Sequence, residues 1–493
     1  MTSAPRPGSG WWQRRLDIAS LRRSMLDREM PSGLTWWHTL GSATLTVFLL
    51  QAVTGAVLAM YYAPSPDHAY ESIRYLEGQV HLGRVLRGVH NWGASAMVVL
   101  ALLHMVRVFS FGAYKYPREA NWVVGVGLLG LVMAFGFTGY LLPWDQRAYW
   151  ATQVGTSIAG TVPGVGGAVA VLLRGGTQLG AETLTRFYAL HVLWLPAAII
   201  GLIGLHLVMI VRQGIAAPPR VLEEAAPART DADDYAAHYD KTVGRAKRGG
   251  PRFWPDIIAK DAVVSLLTVA VIVGLAMVEG APLEAPADPT DTSYVPLPEW
   301  YFLPFYQLLK LVPGSMESTV AVGIPAFLAL TLLGLPFFDR SSRRHLRGRP
   351  LALAGLVAVL GGSALLLGAA LGEIAPPSES PSGVALSSVE RAGRATFQRQ
   401  CAGCHVVGDE GGEEGPELTD IGTRHGSAWL HSFIENPQRF HPESEMSSFG
   451  PPTLSHQEIE EVARYLTTLR GPRGQTLPMA IADTFPEPST PVR

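Results

Sequence analysis

Seven stretches of this 493-residue chain run without a charged side chain for about the 20 residues that a helix needs to cross the hydrocarbon of a bilayer. They fall within residues 30–66, 88–106, 121–144, 187–211, 262–278, 318–338 and 350–372. An eighth such run, 148–173, is broken by Gly155, Gly160, Pro163, Gly164, Gly166 and Gly167, which predicts two short surface helices in place of a span. Charged residues make up 16% of the chain, where soluble proteins average about 25%, so a string of soluble domains is excluded. The fold class that follows is all-α, with a seven-span transmembrane helix bundle at its centre.

Orientation follows from the distribution of cations, which collect in cytoplasmic loops. Arg340, Arg343, Arg344, Arg347 and Arg349 follow the sixth span, and the segment from Arg212 through Lys247 and Arg248 to Lys260 joins spans four and five. The connection between spans five and six has several carboxylates and one cation, Lys310. Seven spans therefore start inside, with a cytoplasmic N-terminus, and finish outside. Residues 11–29 lack the apolar core of a signal peptide and predict an interfacial amphipathic helix. Beyond Gly372 the chain turns Pro/Ser-rich and then polar, which predicts a linker at 376–385 and a soluble domain with its tail over 386–493, on the outer side.

The tail carries Cys401-Ala-Gly-Cys404-His405, the attachment pattern of c-type haem: two thiols form thioethers to the porphyrin and the adjacent histidine ligates iron. These are the only two cysteines, too few for a disulfide framework or a four-cysteine iron–sulfur cluster, so no iron–sulfur cluster belongs to this chain. A zinc site would need a second ligand pair, and a thioredoxin-like site a βαβ pattern; neither accompanies the motif. A short helix over 388–400 and a closing amphipathic helix over 456–469 complete a domain that resembles class I cytochrome c. The resemblance implies a methionine as sixth iron ligand, and Met446 stands at the matching place; His425, His431 and His441 are the alternatives. From Glu390 to Arg470 there are 13 acidic residues and seven arginines, which suits either a solvated face or docking to a basic acceptor.

Histidines are costly inside spans and face the bundle interior. His90 and His104 are 14 residues apart on span two, and His191 and His206 are 15 apart on span four. At about 1.5 Å per residue each interval is roughly 21–22 Å. Spans two and four run in the same direction, so His90 is level with His191 on the outer side and His104 with His206 on the inner side. Two bis-histidine haems stacked across the bilayer follow, in a diheme four-helix core. Gly41 and Gly55 on span one, and Gly125 and Gly139 on span three, repeat the 14-residue interval and would give a flat macrocycle room. Arg87 and Arg107, each three residues beyond a histidine of span two, suit haem propionates or, alternatively, anchoring of the helix ends.

With Gly139-Tyr-Leu-Leu-Pro-Trp-Asp-Gln146, Leu184-Thr-Arg-Phe-Tyr188 and Pro298-Glu299-Trp300-Tyr301 added to the histidines, residues 11–372 resemble cytochrome b of the quinol-oxidising bc-type complexes, particularly the b6f type. The 15-residue spacing of His191 and His206 follows that type. There the four-helix and three-helix parts are separate chains; here 1–215 and 216–375 are joined, and a cytochrome c domain is appended. That type attaches an extra haem through a cysteine where this chain has Thr39, so a thioether-linked extra haem is not expected.

The resemblance implies quinol oxidation at the outer face, with Glu299 as proton acceptor and Pro298, Trp300 and Tyr301 around the substrate. It also implies electron bifurcation to a Rieske iron–sulfur partner and two b haems, proton translocation, quinone reduction at the inner face, and a dimeric complex in a bacterial cytoplasmic membrane. One haem c would pass electrons to a soluble or membrane-bound cytochrome or a terminal oxidase. Nothing points to nucleic acid. A diheme relay between a dehydrogenase and the quinone pool is the alternative, but it needs neither Pro298–Tyr301 nor three extra spans. A sensory haem protein would need an output domain, and no kinase, cyclase or DNA-binding segment is attached.

Overall fold

A computed structural model describes residues 26–223, 232–290, 294, 296–374, 380–408, 410–412 and 414–471. Among them no named strand occurs; helices joined by turns form two units that divide at Leu367/Gly368. The all-α class is borne out, and among the described residues seven helices are long and apolar enough to span a membrane.

In the first unit α1 (Leu40–Ala59) is followed by the short α2 (Ala69–Gln79), then α3 (Gly83–Ser110) and α4 (Glu119–Tyr140). The broken eighth run forms α5 (Gln146–Gly160) and α6 (Gly166–Arg174), tied by a 2.7 Å hydrogen bond from Arg174 Nε to Thr156 Oγ1. Span four is α7 (Ala181–Ala189), a π turn (Leu190–Trp194) and α8 (Leu195–Gln213). After α9 (Pro219–Glu223) and α10 (Ala232–Lys247) come α11 (Ile258–Val278), α12 (Leu303–Lys310) and α13 (Gly314–Phe338); α14 (Pro350–Ile374) runs across the division between the units. The interfacial helix expected over 11–29 lies outside the described residues up to residue 25. Leu26–Glu29 form a turn, and Glu29 pairs with Arg252 in an isolated bridge.

Helix α3 packs between α1 and α11, and α4 packs on α8. Val47, Val89, Met97, Val98, Val132, Ile199, Ile272 and Ala276 make the shared core. Gly88 lets α3 meet α11, since a Cβ there would stand 2.9 Å from the Ala276 Cβ.

The loops sort into two ends, as seven alternating spans require. At the cation-rich end the loops after α3, α8 and α13 converge. Arg344 is fully buried and donates to the carbonyls of Gly112 and Tyr116 and to Tyr235 Oη, and Arg118 donates to Tyr239 Oη (2.6 Å) and to the Gln213 and Gly214 carbonyls. Lys115 Nζ donates to Asp339 Oδ1 at 2.7 Å and to the Ser341 and Arg343 carbonyls. Burial opposes ionisation of Asp339, but hydrogen bonds from Lys115, Tyr114 and Ser341 outweigh it and hold the carboxyl at about 2. Burial lowers Lys115 to about 8 despite Asp339, because Arg349 and Arg344 crowd it with like charge. At the other end Tyr62 donates to the Leu142 carbonyl, Tyr70 to that of Glu284 and Gln146 N to that of Ala285.

The second unit holds α15 (Ser388–Gln400), α16 (Ser427–Glu435) and α17 (His456–Thr467) around Leu386, Phe397, Cys401, Ile421, Leu430, Ile434, Ile459, Val462, Tyr465 and Leu466. Ser387 and Ser455 each close a capping box with the glutamate three residues on, which starts α15 and α17. The two helices cross at Gly393, where a Cβ would run into the Glu461 carbonyl. In the stretch expected to be a linker, Ser380 and Ser382 are buried, and Arg470 N donates to Ser382 Oγ at 2.8 Å.

Asp339→Asn is expected to destabilise the first unit at neutral pH by about 2 kcal/mol, less than the roughly 3–5 kcal/mol of breaking a fully buried pair, because Asp339 remains a fifth exposed. Its depressed carboxyl contributes stability above the ordinary 3.8 and loses it as pH falls towards about 2. The gap in melting temperature between native and variant protein in detergent should therefore close on acidification.

Candidate functional site

At the outer end the His90 and His191 ring centroids are 6.4 Å apart, with planes at 72°. With metal–nitrogen bonds of about 2 Å, two imidazoles facing each other through one metal atom have centroids roughly 6 Å apart. Each ring is held from behind by the neighbouring helix. His90 Nδ1 is 2.9 Å from Thr54 Oγ1 and His191 Nδ1 is 3.0 Å from Thr138 Oγ1. Both hydroxyls already donate to the carbonyl four residues back, Leu50 and Ala134, at 2.8 Å. They therefore accept from Nδ1–H, which leaves each Nε2 with its lone pair free, the tautomer that binds a metal.

Each histidine ring rests on one of the glycines with the 14-residue repeat. A Cβ at Gly41 would meet His104 at 3.1 Å, one at Gly55 would meet His90 at 3.1 Å, and one at Gly139 would meet His191 at 2.6 Å. Gly125 is looser, its Cβ 3.8 Å from His206. Sequence reasoning found the glycines but missed Thr54 and Thr138; the repeated dipeptides Thr54-Gly55 and Thr138-Gly139 were the available signal.

It also missed the π turn at Leu190–Trp194, in which Leu195 N donates to the Leu190 carbonyl five residues back. Pro196 has no N–H to give to Val192, and a π turn accommodates that gap by admitting one extra residue. Fifteen residues of regular helix would turn His206 about 100° further round than fourteen do. The extra residue absorbs that rotation, so 15 on span four faces the interior as 14 does on span two.

At the inner end His206 Nδ1 is directed at the backbone of Asn121 without closing a hydrogen bond of ordinary geometry. Arg107 Nε and Nη2 are buried without a protein partner, with the guanidinium 4.9 Å from the Phe111 ring. His38 Nε2 is likewise buried and unpartnered, its ring 5.7 Å from Phe111. Orphaned donors beside a histidine pair suit an anionic acceptor such as a propionate. Arg87 differs: its guanidinium donates to Glu77 and to the Ala281 and Pro282 carbonyls, tying α2 and the loop after α11 to α3. Thr39 Oγ1 donates to the Trp36 carbonyl at 2.7 Å.

Pro298, Glu299, Trp300 and Tyr301 lead into α12 at the end opposite the cation-rich loops. A Cβ at Gly136 would stand 2.7 Å from Tyr301 Oη, so the tip of Tyr301 lies one helical turn from Gly139 and its His191 contact. Trp300 Nε1 donates to Ser95 Oγ at 3.2 Å. Pro298 and Glu299 are half-buried.

In the second unit Cys401 ends α15 and is buried, while Cys404 is exposed. Burial, and then Cys404 beside it, push the Cys401 thiol up to about 12. His405 Nδ1 is 2.8 Å from the Pro416 carbonyl, which fixes the ring and leaves Nε2 as the ligating atom. Met446 is half-buried, its carbonyl accepting from Gln438 Nε2 at 2.6 Å. The rival histidines have ring partners: His425 stacks on Trp429 at 3.5 Å, His431 on His456 at 6.1 Å, and His441 stands edge-on to Phe433 at 5.9 Å.

Gly139→Ala is expected to displace the His191 ring and lower the ratio of b-type to c-type haem in a pyridine haemochrome assay, whereas Gly125→Ala, in ordinary contact, should leave it near native. Equal losses would show that ring clearance is not what these glycines supply.

Residues 25–214 match the family described as Cytochrome b/b6/petB, 286–383 Cytochrome b(C-terminal)/b6/petD, and 390–470 Cytochrome c. The chain is 47% identical over 216 residues to the menaquinol:cytochrome c reductase cytochrome b subunit of Geobacillus thermodenitrificans, covering 42% of this chain and 96% of that one. It is 32% identical over 352 residues to the cytochrome bc complex cytochrome b subunit of Chlorobaculum thiosulfatiphilum, covering 71% and 77%. A solved structure described as hyperthermophilic respiratory Complex III matches with a TM-score of 0.62 and 28% identity over 73% of this chain and 90% of that one. Histidines seated on glycines, the Pro298–Tyr301 segment and the Cys401–His405 motif agree with these matches: the chain belongs to the cytochrome b family of bc-type complexes, a haem-binding membrane protein with its b6-like and petD-like parts in one polypeptide and a cytochrome c domain after them.

Proposed function

We propose that this chain is the cytochrome b and c subunit of a quinol:cytochrome c oxidoreductase in a bacterial cytoplasmic membrane, oxidising quinol at the outer face beside Pro298–Tyr301 and reducing quinone at the inner face. The observation that carries this is the packing of Tyr301 on Gly136, which brings that segment within one helical turn of the outer histidine pair. A bare diheme relay has no use for such a segment.

His90 with His191 and His104 with His206 would hold two b haems, and Cys401, Cys404, His405 and Met446 one c haem; when bound they supply one-electron carriage, across the bilayer and onward to a soluble or membrane-bound cytochrome or terminal oxidase respectively. Arg107 would hold an inner propionate, and Arg87 anchors the outer end of α3. Quinol gives up two electrons, and bifurcation needs a second acceptor of high potential. That is a Rieske protein on a separate subunit, since both cysteines here belong to the c motif. Glu299, half-buried at the outer end, takes a proton from the quinol hydroxyl on its carboxylate and passes it outward. Trp300 and Tyr301, anchored on Ser95 and Gly136, wall the substrate from water. With the cation-rich loops inside, protons are released outside and taken up inside. A homodimeric complex is part of this reading, as the family resemblance implies.

Pyridine haemochrome quantification of the purified complex should give two b haems per c haem, with a Rieske EPR signal co-purifying. That ratio without a Rieske centre would favour the relay, and another ratio would mean that the histidines are misassigned. Glu299→Gln should abolish quinol oxidation with normal haem spectra; native rates at every pH would overturn its role.

A further inference from the structure

Within hydrogen-bonding range of the outer site stands a cation that the reading above does not use. Arg147, at the start of α5, sets its Nη2 3.5 Å from Glu299 Oε1, with the two side chains 24% and 22% exposed. Its guanidinium lies over the Tyr140 ring, 5.2 Å from the centroid. Tyr140 Oη donates to the Leu297 carbonyl at 3.0 Å, two residues before Glu299. The start of α5 is itself fixed: Asp145 Oδ1 accepts from Ala148 N at 2.8 Å, its Oδ2 accepts from Glu284 N at 3.1 Å, and Gln146 N donates to the Ala285 carbonyl at 2.9 Å. Arg147 therefore projects from a backbone capped by Asp145 and locked to the 284–285 segment, and is held in place by Tyr140.

The charged and titratable groups around Glu299 are Arg147 from α5, Tyr140 from α4 and Tyr301 from its own segment. Beyond Arg147 lie Glu284, Asp145 and Tyr294, with Tyr294 Oη donating to Glu284 Oε2 at 2.7 Å. Arg147 is the cation in direct contact with Glu299 and also feels the charge of Glu284.

We propose that Arg147 is the positioning residue of Glu299: it holds the carboxylate in the orientation from which it accepts the quinol proton and passes it outward. The inference rests on the role given to Glu299 above. No redox partner beyond the quinol reaction is required; one proton moves from the quinol hydroxyl to Glu299 and then outward.

The test is the pH profile of single-turnover b-haem reduction by quinol in the purified complex, for the native protein, Arg147→Gln, Arg147→Met, Arg147→Lys and Glu299→Gln, each first shown to have native haem spectra. In the neutral variants the rate on the acidic limb should fall roughly tenfold, with KM for quinol little changed and the rate on the alkaline side near native. Arg147→Lys should return the acidic limb close to the native rate. Neutral variants slowed equally at all pH values, or with a native rate on the acidic limb, overturn the role of Arg147 while leaving Glu299 intact if Glu299→Gln is inactive. A Glu299→Gln variant with native rate and limb overturns the reading of Glu299, and the inference with it.

Discussion

An imidazole ring packed against a glycine backbone is the contact on which the membrane unit depends. The hydrocarbon of a bilayer offers a buried histidine no water, so the ring must face the bundle and be held there by another helix. Gly41, Gly55 and Gly139 bring α1 and α4 so close to α3 and span four that a single added Cβ would meet the ring. Thr54 and Thr138, one residue before two of these glycines, fix the rings through Nδ1. Spacing, rotation and tautomer are thus set together, and helix pairing α1 with α3 and α4 with α8 follows from where the glycines sit.

Once that four-helix part is fixed, the remaining spans are placed by polar contacts at their ends, because lipid-facing apolar surfaces carry little orienting information. Arg344, Lys115 and Asp339 knot three loops at one end, while carbonyls of the segment after α11 accept from Arg87, Tyr70 and Tyr140 at the other. The second set determines function: the segment before α12 is threaded across the ends of α3 and α4, so Glu299 meets Arg147 and Tyr301 meets Gly136. The cytochrome c unit uses a different device, a small core closed by the crossing of α15 and α17 at Gly393, with His405 pinned by the Pro416 carbonyl.

Much of this was legible in the sequence because the relevant signals are local or periodic. Charge-free length gave the spans, glycine clustering broke the run at 148–173, and the histidine and glycine intervals gave the pairing. Cys401-Ala-Gly-Cys404-His405 needs no fold to be read. The π turn was not legible, since one residue of added spacing is ambiguous until the helix is seen to widen before Pro196. Nor was the contrast between Arg87 and Arg107. Both follow the same three-residue rule, yet Arg87 is satisfied by Glu77 and two carbonyls of a loop almost 200 residues away, and Arg107 is not.

The sequence by itself determined where the seven apolar spans run, which side chains could ligate iron and which family's motifs they carry, because hydrophobic length and residue spacing act along the chain. Only the tertiary structure decided which nitrogen of His90 and His191 is free, which arginine is left without a partner, and that Glu299 faces a cation. Those outcomes depend on donors and acceptors brought together from segments 36 to 195 residues apart, and hydrogen-bond satisfaction between such segments leaves no periodic trace in the sequence.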